Sequence, residues 1–92
     1  MLKLQKLREA KQVGYAIRKA RIAKGEALTN ISGIFKISIM ELNAIEDGNL
    51  YFFQNDYAVF MKKALEISEF LGLDLKNPLQ SPLGSKSPTK GA

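Results

Sequence analysis

Cysteine and histidine are both absent from the 92-residue chain. Their absence excludes disulfides, zinc sites of the usual ligand types, and catalytic arrangements that need a thiol nucleophile or an imidazole base. Neither an acid–base pair nor a phosphate-binding glycine loop stands out in the sequence. We therefore expect a protein that is not an enzyme and holds no metal or cofactor.

Long apolar runs are missing as well. No segment approaches the ~18 consecutive apolar residues of a membrane-spanning helix. The first eleven residues interleave leucine with lysine, so they lack the apolar block of a secretory signal. These features favour a cytoplasmic protein.

The net charge of +5 is divided unevenly along the chain. Residues 1–24 hold eight basic residues against one acid, whereas residues 25–75 hold three basic residues against eight acids. The tail is rich in proline, serine, glycine and lysine, a composition typical of a flexible linker. We divide the chain into a basic helix extension (1–12), a helical domain (13–75) and a tail (76–92).

Residues 13–48 show the pattern of three short helices separated by two tight breaks. Lys24 and Gly25 form a typical helix end. The second helix is indicated by a 3,4 repeat of Leu28, Ile31, Ser32 and Phe35. The third opens with Ser38 and Glu41, which predict a capping box, and ends at Gly48.

The first helix can continue backwards, because its apolar face extends through Leu2, Leu4, Leu7, Ala10 and Val13. Gly14 weakens its middle by up to ~1 kcal/mol relative to alanine, which leaves a kink or a later start open. The extension 1–12 is either a basic surface for a membrane or nucleic acid, or a solvated and partly frayed helix end. We favour the frayed end.

A fourth helix is predicted after an apolar run at residues 50–53, which suits a short helical turn or a packed loop. Asn55 or Asp56 caps this helix, and Gly72 ends it. Its core face is expected to hold Phe60 or Met61, Ala64, Leu65, Ser68 and Leu71. The sequence therefore predicts an all-α domain, a compact bundle of four or five helices.

Aromatic residues crowd the start of the fourth helix: Tyr51, Phe52, Phe53, Tyr57 and Phe60. A domain this small has too little interior to bury all five. We expect Phe53 and Tyr57, one turn apart, to form an exposed patch beside Lys62 and Lys63. Aromatic anchors of this kind dominate protein–protein hot spots, so the pattern favours a protein-binding site.

The third helix carries few groups that read DNA. Its outward positions at the start are Ser38, Ile39, Met40, Glu41 and Asn43, and none of them is arginine or glutamine. Lys36 is the one nearby cation among several acids. Because phosphate neutralisation supplies most of non-specific DNA binding, this face is poorly suited to a duplex.

A family resemblance covers residues 14–48 without a gap, through Ile17-Arg18, Ala20-Arg21, Lys24-Gly25, Leu28, Ile31, Lys36-Ile37, Leu42, Ala44-Ile45-Glu46 and Gly48. These residues resemble the Cro/repressor-type helix-turn-helix superfamily, and more closely its version in the RodZ family of bacterial cell-shape proteins. A weaker match closes on the sequence FLGLD at residues 70–74. The tail after Asn77 lies outside the resemblance.

What the resemblance implies is a helix-turn-helix core in which Arg21 pairs with Glu46. It also implies a domain at the cytoplasmic face of the inner membrane that binds the bacterial actin homologue MreB in cell-shape maintenance. The membrane would be reached only through a segment outside this chain. Partner contacts are expected from residues around the start of helix four: Phe53, Tyr57, Phe60, Met61 and Lys62.

The alternative is a transcriptional regulator of the Cro/repressor type. In that case the side chains at the start of helix three would face DNA, namely Lys36, Ser38, Met40 and Asn43. We favour a protein partner over nucleic acid because this face offers so few polar reading groups.

Overall fold

The structure is a computed structural model that describes residues 4–74. Four α-helices make up most of this part of the chain: α1 (Leu4–Ala23), α2 (Leu28–Phe35), α3 (Ile39–Asp47) and α4 (Tyr57–Leu71). A 3₁₀ helix (Leu50–Phe53) joins α3 to α4. Residues 4–74 contain no strand, which confirms the predicted all-α class. The predicted tail at 76–92 lies outside the described residues.

None of the helices within residues 4–74 combines the length and the hydropathy needed to cross a bilayer. The core lies where α1 crosses α3 and α4. Its largest fully buried side chains come from all the helices and from the 3₁₀ segment: Ile17, Ile31, Leu42, Ile45, Leu50, Phe60, Ile67 and Leu71.

Helix α1 runs through Gly14 without a break. A Cβ atom at Gly14 would lie 2.5 Å from the Glu46 carbonyl oxygen, and it would also collide with the carbonyl oxygen of Ile45. At Gly48, where φ is +64°, a Cβ would lie 2.6 Å from the carbonyl carbon of Ala10. Both glycines therefore allow the backbones of α1 and the end of α3 to approach closely.

The first residues of α1 belong to the folded domain. Ala10 is fully buried, Leu7 packs against the core, and Val13 is almost completely buried. Our prediction of a frayed helix end up to residue 12 is thus wrong from Leu7 onwards, although Arg8, Lys11 and Gln12 are solvent-exposed as predicted. The reason is that Gly48 covers Ala10 and Tyr57 of α4 contacts Glu9, and these partners lie about forty to fifty residues away in the sequence.

One predicted core residue of α4 lies outside. Leu65 is 46% exposed, whereas Ile67 is buried. The inward positions follow the spacing of Phe60, Ala64, Ile67, Ser68 and Leu71. Leu65 follows Ala64 directly, so the 100° turn per residue carries it to the outer face. The choice between Phe60 and Met61 falls on Phe60, because Met61 is only partly buried.

Local hydrogen bonds fix the helix starts. The Ser38 hydroxyl accepts a hydrogen bond from the backbone N–H of Glu41 at 3.0 Å. The Glu41 carboxylate does not complete the expected capping box. Its Oε2 forms an ion pair with the Lys63 ammonium on α4 at 3.0 Å, without the geometry of a hydrogen bond. Asp56, and not Asn55, caps α4 by accepting from the Val59 N–H at 3.2 Å. Ala27 gives α2 no side-chain cap.

The expected pair between Arg21 and Glu46 is present. Arg21 Nε donates to Glu46 Oε2 at 2.7 Å, and the Glu46 side chain is completely buried. A second arginine joins the pair, because Arg18 donates to Glu46 at 3.1 Å and to Asp47 at 2.7 Å. The hydrogen bonds to Asp47 and then to Glu46 raise the pKa of Arg18. These contacts tie α1 to the end of α3.

Candidate functional site

The 3₁₀ helix Leu50–Phe53 is closed by hydrogen bonds at both ends. The Asn49 side chain accepts from the Tyr51 N–H at 3.1 Å. At the other end, the Asn55 N–H donates to the Leu50 carbonyl at 2.8 Å. Gln54 and Asn55 both have positive φ angles, of 57° and 62°, so the chain turns sharply into α4. The backbone that carries this short aromatic segment is therefore well defined.

Two aromatic side chains of this segment face outwards. Tyr51 is 75% exposed and Phe52 is 43% exposed. The Phe52 ring packs edge-on against Phe53 with 5.2 Å between centroids, and Phe53 in turn packs against the buried Phe60 at 5.8 Å. The exposed ring of Phe52 is thus supported by two rings of the core. We call Tyr51 and Phe52 the outer aromatic pair.

Phe53 is not exposed, so our prediction of its place on an exposed patch is wrong, and Phe60 is too deeply buried for the partner contact that we expected of it. Phe53 is 8% exposed and Phe60 is fully buried. A 3₁₀ helix has three residues per turn, so side chains at i and i+3 lie above one another. Leu50 and Phe53 therefore share the inward face. A period of three leaves Tyr51 and Phe52 on the outward face, but the sequence did not distinguish a short helical turn from a packed loop here.

Tyr57, which we expected to be exposed, is half-buried and linked to α1. Its hydroxyl donates to Glu9 Oε1 at 2.8 Å, and the Lys6 ammonium lies 4.3 Å from its ring centroid. Burial, with the hydrogen bond to Glu9 second, raises the pKa of Tyr57 to about 12. The same hydrogen bond lowers the pKa of Glu9. Tyr57 thus joins two helices, and one edge of its ring reaches the surface.

The other predicted contact residues of α4 lie close by. Met61 is partly buried and packs against the core, whereas Lys62 is exposed. Lys63 is engaged by Glu41. The structure therefore brings Tyr57 and Met61 to the core margin and leaves Lys62 on the outer face of α4.

A groove of about 360 Å³ lies beside the outer aromatic pair. Leu7 and the buried Leu50 provide apolar lining, and the side-chain-free Gly48 leaves the space open. Exposed Lys11 and Asp47 stand at its sides, and Tyr51 borders it. Sequence reasoning missed this groove because its walls come from α1 and from the 3₁₀ helix, which meet only in the folded chain.

The residues of the alternative DNA-facing set lie around the start of α3. Lys36, Ser38 and Met40 are exposed, Met40 to 72%, and Asn43 is partly buried. The exposed groups here are one ammonium, one hydroxyl that is already used as a helix cap, and one thioether. This set has little capacity for bidentate contacts to base edges.

The acidic side chains of residues 4–74 form no group of three or more that could hold a metal ion. No protein-family model matches the chain, and comparisons with curated proteins and with solved structures find no match.

Proposed function

We propose that this domain is a protein-binding adaptor that uses the outer aromatic pair and the adjoining groove. The observation that carries the proposal is that Tyr51 and Phe52 are exposed on a tightly hydrogen-bonded turn, where Phe52 packs against the buried ring of Phe53. Aromatic side chains lose little conformational entropy on binding, and a fixed backbone reduces that loss further. An apolar side chain of a partner fits the groove beside Tyr51.

The partner that we propose is a filament of the bacterial actin homologue MreB. This proposal rests on the resemblance of residues 14–48 to the RodZ family, in which aromatic residues near the start of helix four make the contact. In this chain the contact would shift to the outer aromatic pair, with the edge of Tyr57 and Lys62 beside it. Cytoplasmic exposure of the domain is part of the same proposal.

We also propose that α1, α2 and α3 form a helix-turn-helix core of the Cro/repressor type. The short turn between α2 and α3 supports this assignment. The cap at Ser38 and the ion pair from Arg21 to Glu46 support it as well. Such a fold does not fix the function, because the function depends on the surface that the chain presents.

Co-sedimentation with polymerised MreB tests the adaptor proposal. The double variant Tyr51→Ser/Phe52→Ser should weaken pelleting by roughly tenfold or more, as expected for loss of two aromatic anchors. Its melting temperature should change little, because neither side chain is buried. The matched control is Ile34→Ser/Met40→Ser on α2 and α3, which removes two similarly exposed apolar side chains. That control should pellet like the original chain.

Two results would overturn different parts of this proposal. Equal pelleting of the original chain and the Tyr51→Ser/Phe52→Ser variant would remove the outer aromatic pair as the site. The filament would be ruled out as the partner if the original chain did not pellet with MreB at any concentration at which the chain itself is monomeric.

A DNA-binding regulator is the second candidate, and the exposure of Lys36 and Met40 at the start of α3 is the observation in its favour. Duplex binding by this face should fall steeply with salt concentration and should weaken in Lys36→Ala. Sequence-selective binding that responds to Lys36→Ala and not to Tyr51→Ser/Phe52→Ser would establish this function in place of the adaptor.

A further inference from the structure

The outward face of α1 carries three large apolar side chains that the domain leaves uncovered. Leu4, Tyr15 and Ile22 are 62%, 59% and 62% exposed. Leu4 and Tyr15 are eleven residues apart, and Tyr15 and Ile22 are seven residues apart. At 100° per residue, these spacings place the three side chains within about 20° of one line along the helix. Between Leu4 and Ile22 this line is ~27 Å long, at 1.5 Å per residue.

Basic side chains lie along the same line. Arg8, Lys11 and Lys19 are all exposed, and none of them forms an ion pair within residues 4–74. The Lys19 ammonium lies 5.5 Å from the centroid of the Tyr15 ring. The outward face thus alternates cations with apolar groups, and we call these six residues the α1 outer face.

Acidic groups are absent from the α1 outer face. The one acid of α1, Glu9, points away from it and accepts hydrogen bonds from Tyr57 and from Gln5. Arg18, at the margin, is already neutralised by Glu46 and Asp47. Within residues 4–74, no acid pairs with Arg8, Lys11 or Lys19, so the face is complementary to an external anionic surface.

We propose that the α1 outer face lies against an anionic lipid bilayer. Phosphate headgroups attract the three cations, and Leu4, Tyr15 and Ile22 enter the boundary between headgroups and acyl chains, where tyrosine is enriched. A nucleic acid also offers phosphates, but the sides of its backbone give three apolar groups nothing to enter. The apolar groups thus favour lipid. This second surface does not depend on the proposed function.

Vesicle co-sedimentation of the full chain tests the proposal. Binding should be strong to phosphatidylcholine vesicles that contain phosphatidylglycerol and weak to pure phosphatidylcholine. The variant Arg8→Glu/Lys19→Glu should reduce binding to the anionic vesicles by roughly tenfold or more. Lys11 is left unchanged because it also lines the groove beside Tyr51. The control Lys36→Glu/Lys62→Glu, with the same change of net charge, should bind nearly as the original chain does.

The apolar contribution is tested by Tyr15→Ser/Ile22→Ser. This variant should bind the anionic vesicles several-fold less and should lose the binding that persists when salt is raised from ~0.15 M to ~1 M, where the screening length falls to ~3 Å. Circular dichroism melting establishes that each variant is folded. MreB pelleting by Arg8→Glu/Lys19→Glu and by Tyr15→Ser/Ile22→Ser is expected to be unchanged, which separates this surface from the outer aromatic pair.

Three outcomes would overturn the proposal. The first is equal binding to anionic and neutral vesicles, and the second is equal vesicle binding by the original chain and by Arg8→Glu/Lys19→Glu. The third is tighter binding to duplex DNA than to anionic vesicles at the same salt concentration, with no effect of Tyr15→Ser/Ile22→Ser. That last result would assign the α1 outer face to nucleic acid.

Discussion

Tyr57 connects α1 with α4 through a single hydroxyl group. In Tyr57→Phe the ring and its packing remain, but the hydrogen bond to Glu9 is lost. We expect the melting temperature at neutral pH to fall by a few degrees, and the pKa of the Glu9 carboxyl to return towards its ordinary value. Thermal melting and a carboxyl titration followed by NMR measure the two effects.

The pH dependence of this contact has a definite sign. The pKa of Tyr57 is raised from 10.0 to about 12 in the folded chain. The corresponding stabilisation is therefore complete below pH 10 and is lost as the pH rises through about 12. At the acid end, the lowered pKa of Glu9 gives a stabilisation that is lost as the pH falls below 4.5. Tyr57→Phe should lose less stability than the original chain at both the acid and the alkaline end of the pH range. If the two chains had identical pH profiles of stability, the contact between Tyr57 and Glu9 would be contradicted.

Glu46 is the acid on which the ion-pair network depends. Its carboxylate is buried and accepts hydrogen bonds from Arg18 and Arg21. Glu46→Gln keeps the shape but leaves two guanidinium groups without their shared anion, so we expect a loss of about 3 kcal/mol in the free energy of unfolding. Asp47→Asn, at a largely exposed position, should cost less than about 1 kcal/mol. Urea denaturation of both variants decides whether burial sets the difference.

At the level of secondary-structure elements, the crossing of α1 and α3 depends on Gly14. Alanine has the higher helix propensity by up to ~1 kcal/mol, yet its Cβ would lie 2.5 Å from the Glu46 carbonyl oxygen. Because that oxygen belongs to the backbone, the helices must separate, and we expect Gly14→Ala to destabilise the domain by about 3 kcal/mol.

Gly33 provides the matched control for this prediction. It lies in α2, and a Cβ there meets no atom within 4 Å. Gly33→Ala should therefore stabilise the domain, by up to ~1 kcal/mol. Urea denaturation measures the change in the free energy of unfolding for both variants. Opposite signs of the two changes would establish that the close approach of the backbones, and not helix propensity, determines the effect at Gly14. Stabilisation by both would contradict the crossing geometry.

Periodicity within each element allowed the helices to be predicted from the sequence. The ends at Gly48 and Gly72, the cap at Ser38 and the inward positions of Phe60 and Ala64 all follow from local patterns. The contacts of Arg18 with Glu46, and of Gly14 with the end of α3, join residues about thirty positions apart. No local pattern encodes such contacts, so they were missed.

The outer aromatic pair was also missed, although for a different reason. The sequence leaves residues 50–53 as either a short helical turn or a packed loop, because the segment is too short for its period to be read without its hydrogen bonds. The composition did indicate that some of these rings would be exposed. Which rings they are depends on the turn at Gln54 and Asn55, where φ is positive.

Across the whole molecule, the first turns of α1 contribute to the core. A domain of this size buries only ~60–65% of its unfolded surface, so its margin of stability is small. Deleting residues 1–12 removes the fully buried Ala10, the packing of Leu7 and the hydrogen bond of Glu9. We expect this deletion to abolish cooperative thermal unfolding, as followed by circular dichroism at 222 nm.

A shorter deletion serves as the comparison. Removing residues 1–5 leaves Leu7, Glu9 and Ala10 in place, and the shortened chain should still melt cooperatively. A sharp transition in the chain that lacks residues 1–12, within a few degrees of the full chain, would show that α1 contributes to the fold only from Val13 onwards.

Gly14 and Gly48 have a consequence for ancestry. Gly14 leaves room for the backbone of Ile45 and Glu46, and Gly48 leaves room for the backbone of Ala10 and Lys11. A larger side chain at either position would therefore disturb the same crossing of α1 and α3. We therefore expect relatives that keep this helix crossing to keep glycine at both positions, which lie thirty-four residues apart.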